Sequence, residues 1–189
     1  MEECNQWFPS FDIMTGYLLP AGNPMRMKGL KRTRALMEEL IDHLIHHSGF
    51  NSSNIFFFGF SQGGTVALDT LLFSRHKGLG GVVSISGYLL EEQEEHTEKE
   101  KYGGYILITQ GEKDQTIGDK STAEKRFKAV EKFCKPSAKV SQVFITNKDH
   151  IMPKSESEWR VIHTFFGKYM PRRNLQLENM SDVYLVDNS

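Results

Sequence analysis

The chain has 189 residues, of which 25% are charged and 39% hydrophobic, and its formal net charge is −1. That length allows one domain with a proper core, and the near-zero charge gives no electrostatic footprint for nucleic acid or an anionic membrane. Cys4 and Cys134 make neither a disulfide framework nor a C-x-x-C motif, the acidic start Met1-Glu2-Glu3 is no signal peptide, and no apolar run is long enough to span a bilayer, so a cytoplasmic protein without stable membrane insertion is expected.

Residues 1–27 are aromatic and turn-rich and read as an ordered loop or lid, within which Trp7 and Phe11 are candidate substrate-pocket residues or simply cover the core. Residues 28–47 read as an amphipathic helix, with Leu30, Met37, Leu40, Ile41, Leu44 and Ile45 on one stripe and Gly49 as its stop. His43, His46 and His47 share helical spacing, but no carboxylate is aimed at the same point, so no metal site is assigned. Residues 55–60 read as a buried strand, apolar on both faces as in a parallel sheet covered by helices. A helix over about 63–74 and a strand over 82–87 follow. Residues 91–101 are a charge run, read as a solvated loop or as a steering surface for a cationic substrate, and His96 within it is a poor catalytic candidate. Tyr105 to Gly111 is the next strand, and a helix over about 121–134, capped by Thr122, comes after it. A strand near 139–145 and a helix at about 155–169 that buries Trp159, Ile162, Phe165, Phe166 and Tyr169 complete the pattern. Residues 1–170 are expected to form a single domain, and 171–189 a partly disordered surface tail. Alternation of strand and helix argues a mostly parallel α/β sheet flanked by helices.

The stretch with the most chemistry is Gly59-Phe60-Ser61-Gln62-Gly63-Gly64, directly after the strand at 55–60. Gly-x-Ser-x-Gly between a strand and a helix is a nucleophile-elbow pattern, in which small neighbours let strand and helix approach and the serine projects from a strained turn. The alternative is a glycine-rich turn with a solvated serine. Active sites of parallel sheets lie beyond the strand C-termini, and Ser61, Asp114 and His150 each fall just after a strand. A serine hydroxyl is a weak nucleophile until a base takes its proton; His150 is the candidate base and Asp114 the group that would orient it. The backbone N–H of Gln62 is the candidate oxyanion donor. Asp119 lies nearer the following helix, Asp149 is too close in the chain to face the His150 ring, and His163 falls on the last helical stripe.

These segments resemble the phospholipase/carboxylesterase family of α/β-hydrolases, which includes the acyl-protein thioesterases. The resemblance covers about residues 6–170: the elbow, the acid loop Gly111-Glu112-Lys113-Asp114, the histidine loop Asp149-His150, and the early Gln6-Trp7…Phe11-Asp12-Ile13. It implies an α/β-hydrolase-like fold, hydrolysis of carboxylic esters or of thioesters on S-acylated proteins, no cofactor, and a cytosolic location. Two departures stand out. No segment of residues 1–54 matches the family's His-Gly-x-Gly-Asp loop, which supplies a second oxyanion donor, so the fold is expected to be N-terminally shortened. The family's proline after the acid is Gln115 in this chain. Without the family's earlier strands, the strand at 55–60 would present an apolar edge, covered by residues 1–27 or by a partner, or left bare in a poorly folded chain. An active serine esterase or thioesterase is one expectation; a weak or inactive hydrolase fragment that binds acylated proteins is the other. An interfacial lipase is disfavoured, because no amphipathic membrane helix is evident.

Overall fold

A computed structural model describes residues 5–12, 14–93 and 100–171. Cys4, Ile13, His96 with most of the charge run, and the tail from residue 172 lie outside the described residues.

Helix α1 runs Pro24–His46, four residues earlier than the apolar stripe suggests, so residues 24–27 are helix and not loop. The reason is local. Asn23 accepts hydrogen bonds from the N–H groups of Met25 and Arg26, and Pro24 occupies the first helical position, where its missing N–H has no cost. Gly49, at φ 72°, turns the chain out of the helix. Strand β1 (Phe56–Phe60) leads through Ser61 into α2 (Gln62–Phe73). Strand β2 (Gly81–Ile85) stops two residues short of expectation, where Ser86 takes φ 51°. Strand β3 is Tyr105–Gly111 and β4 is Lys139–Ile145, both as the sequence predicts. Between them α3 (Lys120–Lys132) is capped by Asp119, whose side chain accepts from the N–H of Thr122; Thr122 is therefore not the cap but the cap's partner. Helix α4 (Glu156–Tyr169) opens with a reciprocal box in which Ser155 and Glu158 satisfy one another's backbone N–H groups.

The four strands form one parallel sheet in the order β1-β2-β3-β4. Alternation along each strand divides its side chains between two layers. Val82, Ile106 and Ile108 pack with Leu68, Leu71 and Val130 on the side of α1, α2 and α3. Val83, Ile85 and Leu107 pack with Ile162 and Phe165 of α4 on the other. Trp159, Phe166 and Tyr169 are half-buried rather than buried, because they lie at the margin of that second layer.

Strand β1 departs from the expected buried strand. Its place at the sheet edge is the one the family resemblance implies, but Phe58, expected to be covered, is 43% exposed. Among the described residues nothing from positions 5–27 pairs with it. The bridge made there joins Phe11 to Leu18, within the segment itself. Residues 6–10 instead form a strap on the α1–α2 side: Phe8 is buried with Leu30, Met37 and Val66, and the Thr33 hydroxyl donates to the carbonyl of Trp7.

Among the ion pairs that fasten α1, two have buried carboxylates. Arg34 makes a bidentate pair with Asp69 of α2, at 3.0 Å for each bond. Arg26 pairs with Glu92, its Nε 2.6 Å from Oε1, and also donates to the carbonyl of Leu19. Burial alone would raise the Glu92 carboxyl, but hydrogen bonding and charge from Arg26 outweigh it and hold the group below its ordinary value. Because the folded-state pKa is depressed, this stabilisation is present above the unfolded value and is lost as pH falls through the folded one. Glu92→Gln is therefore expected to lower the melting temperature at pH 7 by about 3–6 °C, from ~1.5 kcal/mol for a charge-assisted bond. Thermal melts followed by circular dichroism should show that deficit shrinking as pH falls below about 4.5; a deficit that is constant with pH would contradict the ionised pair.

Candidate active site

The elbow is built by close approach. Ser61 sits at φ 53°, ψ −119°, a region non-glycine residues rarely occupy, at a cost of about 1–3 kcal/mol. It is held from both sides: its N–H continues the ladder to the carbonyl of Ile85 at 2.8 Å, and its carbonyl accepts from Thr65 at 3.0 Å. A Cβ on Gly59 would overlap the backbone of Gly63 and Gly64, and one on Gly64 would stand 2.7 Å from the Ser84 hydroxyl. The second motif glycine, Gly63, has more room; a Cβ there would meet only the indole nitrogen of Trp7, at 3.6 Å.

Two loops from the neighbouring strands complete the site. Gly111 ends β3 against the backbone of Lys148, leaving no space for a side chain, and the Lys113 N–H donates to the Lys148 carbonyl at 2.9 Å. This crossing sets the acid loop beside the histidine loop. Asp114 is 1% exposed, and its Oδ1 accepts from the N–H groups of Thr116 and Ile117 at 3.1 and 3.2 Å, so the loop is shaped without the family's proline. The carboxylate lies 2.9–3.0 Å from Nδ1 of His150, and Nε2 of the same ring lies 2.8 Å from the Ser61 hydroxyl. A carboxylate only accepts, so the imidazole proton belongs on Nδ1, which leaves Nε2 free to accept from Ser61. On the far side the buried Lys148 ammonium donates to the Met152 carbonyl and to Glu158, tying the histidine loop to the start of α4.

The structure thus brings Ser61, His150 and Asp114 into one hydrogen-bonded line. Asp149 is exposed, Asp119 is occupied as a helix cap, and His163 is exposed and stacks on Trp159. Gln62 opens α2, where its N–H has no partner within the helix. Trp7 reaches the elbow; Phe11 stands in the arm bridged to Leu18 and makes no hydrogen bond or ring contact with the three residues. The sequence reading passes over Phe60, whose ring lies 4.9 Å from that of His150 and backs the imidazole. Its position inside the elbow motif was the available signal. Cys134 is buried, and burial pushes its thiol up to about 11, which disfavours the thiolate. His43 and His47 stack on one another, and among the described residues no three metal-binding side chains converge.

An open cavity of about 820 Å³ lies on the Asp114–His150 side, lined by Glu112, Lys113, Asp119 and Asp149 as well as those two residues. Another, of about 370 Å³, lies at the opposite end of the sheet, beside Gly80 and Tyr105 at the strand starts, away from Ser61 and His150. No described helix is long and apolar enough to cross a membrane.

A parallel sheet with an elbow serine and an acid and a histidine on later loops defines the α/β-hydrolase class. The family model for phospholipase/carboxylesterase matches residues 2–166, and the chain belongs to that family. It is 29% identical over 153 residues to acyl-protein thioesterase 1 homolog 2 of Dictyostelium discoideum, covering 80% of this chain and 65% of that protein. An uncharacterised hydrolase of Mycosarcoma maydis is 38% identical over 84 residues, 43% of this chain and 29% of that one. The chain therefore spans less than two thirds of either relative. Among solved structures, a phospholipase/carboxylesterase from Dyadobacter fermentans superposes with a TM-score of 0.62 at 25% identity, covering 76% of this chain and 66% of that one.

The contrast between the motif's two glycines is testable. Gly59→Ala should cost ~3 kcal/mol in a urea melt, since overlap with backbone cannot be relieved by a rotamer change. Gly63→Ala should cost less than about 1 kcal/mol, with helix propensity favouring alanine. Equal costs would contradict the packing described.

Proposed function

We propose that the chain is a serine hydrolase of carboxylic esters or thioesters. The observation that carries this reading is the unbroken line from the Ser61 hydroxyl through His150 to Asp114, at 2.8 and 2.9 Å. In the proposed reaction His150 Nε2 takes the Ser61 proton as Oγ attacks the acyl carbon. Asp114 stabilises the imidazolium that results. The Gln62 N–H donates to the developing oxyanion at the positive end of α2. As the tetrahedral intermediate collapses, the bond to the alcohol or thiol breaks and His150 returns its proton to that leaving group. Water, activated by the same imidazole, then releases the acid and restores Ser61. Protein groups and water suffice for these steps, so no cofactor is invoked.

Trp7 is the proposed apolar wall of the acyl site, and Phe11, 48% exposed on the same N-terminal segment, a second contact. An S-acylated protein is the proposed thioester substrate, supported by the relative named as an acyl-protein thioesterase. The free, buried Cys134 fits the proposed cytoplasmic setting.

A fluorophosphonate probe tests the nucleophile. Wild-type protein should be labelled and Ser61→Ala should not; labelling that persists in the variant would remove Ser61 from the role. Asp114→Asn should lower kcat on a p-nitrophenyl ester by about a thousand- to ten-thousandfold while the fold is retained.

A further inference from the structure

The Gln62 side chain does something its backbone role does not require. Its N–H opens α2 toward Ser61, while its carboxamide turns to the strap at residues 6–10. Oε1 accepts from the Trp7 N–H at 2.7 Å, and Nε2 donates to the Phe8 carbonyl at 2.8 Å and to the Ser10 hydroxyl at 2.6 Å. Both amide hydrogens and one oxygen lone pair are used, so the carboxamide reads one strap conformation in one register. Other contacts fix the strap on its far side. Phe8 is 3% exposed in the core, Thr33 donates to the carbonyl of Trp7, and Pro9 lies so close to Gly29 of α1 that no side chain fits there. The result is a Trp7 whose backbone is held on both sides while its ring stays 48% exposed, with the indole nitrogen over Gly63, one residue past the oxyanion donor. Among the described residues that indole N–H makes no hydrogen bond.

We propose that the Gln62 carboxamide is a positioning residue that pins the strap to the elbow, and that it thereby holds the Trp7 indole beside Ser61 as the wall against which an acyl chain packs. The proposal rests on the hydrolase reading and adds to it a specificity element: discrimination by acyl length depends on a side chain that never touches the acyl group. Each methylene buried against the wall multiplies binding about fourfold, so a butyryl ester should be preferred to an acetyl ester by about fifteenfold.

The test combines a kinetic and an optical readout. In Gln62→Leu, which keeps the backbone donor, and in Trp7→Ala, the butyryl-to-acetyl ratio of kcat/KM on p-nitrophenyl esters should fall from about fifteen to about two. The double variant should fall no further, because both changes remove one wall. The protein has two tryptophans, Trp7 and Trp159, so in a Trp159→Phe background emission reports on Trp7 alone. There Gln62→Leu should raise acrylamide quenching about twofold, and Ser10→Ala, which removes one of the three bonds, should do so to a lesser degree. A ratio unchanged in Gln62→Leu, or quenching unchanged in both Gln62→Leu and Ser10→Ala, would overturn the proposal. If Gln62→Leu does not fold, the Ser10→Ala ratio and quenching decide it on the same terms. Wild-type protein that a fluorophosphonate does not label would sink the hydrolase reading, and the quenching comparison would still decide whether Gln62 pins the strap.

Discussion

The rest of the molecule depends on keeping one residue in a conformation it does not prefer. Ser61 at φ 53° stores strain that relaxes if the strand before it or the helix after it moves. Two backbone hydrogen bonds hold it, and close packing adds to them. Gly59 lies against the backbone of Gly63 and Gly64, so strand and helix cannot separate without opening a void or slide without a clash. The buried run from Gly64 to Phe73 then anchors α2 along its length. Strain at one serine is thus maintained by burial spread over a whole helix.

The acid and the base are held by a different device. Asp114 and His150 come from loops after adjacent parallel strands, and parallel pairing puts those loop starts side by side without further contrivance. The close crossing at Gly111 and Lys148 sets their depth, and the buried ammonium of Lys148 fastens the histidine loop to α4. The cost of burying that charge is offset by a carbonyl and by Glu158, whose carboxyl is held below its ordinary value by hydrogen bonds from the Lys154 N–H first and from Lys148 second. Each of the three aligned side chains therefore has its own local reason for its position, and the backbone crossing and the Asp114–His150 hydrogen bonds join the two loops.

What the sequence disclosed follows from the range of the interactions concerned. Strands β3 and β4 were legible, because apolar runs bounded by glycine and charge are a local signal. The start of α1 was not, since Asn23 and Pro24 are equally turn residues and helix-start residues, and only the hydrogen bonds to Asn23 separate the two. The cap of α3 failed for a related reason: Asp119 and Thr122 are both good capping types, three residues apart. The positions of Ser61, Asp114 and His150 could be read from the strand ends, but the contact between Gln62 and Trp7 could not. It joins residues 55 apart through a side-chain amide that no periodicity marks. The edge position of β1 followed from the family resemblance, but the exposure of Phe58 did not, because an apolar run reads as covered on both faces.

That last point bears on how the site is stabilised. Strand β1 carries the elbow yet has a hydrogen-bonded neighbour on one side only among the described residues. Edge strands open more readily than central ones, which sets an edge strand beneath a strained residue. Side-chain packing offsets the missing ladder. On one face Phe58 stacks on Trp159 at 6.1 Å and Phe56 meets Phe166 edge-on at 6.3 Å, so the aromatic row of β1 is held to α4. On the other, Phe57 packs beneath the clusters that contain Phe8, Met37 and Ile41, which draws the strap and α1 over the same strand. The last of that row, Phe60, reaches the imidazole itself. The aromatic run before the motif is then more than a hydrophobic strand: it substitutes side-chain contacts for backbone ones at the place where the sheet stops, and so links the rigidity of the elbow to α4 on one face and to the strap on the other.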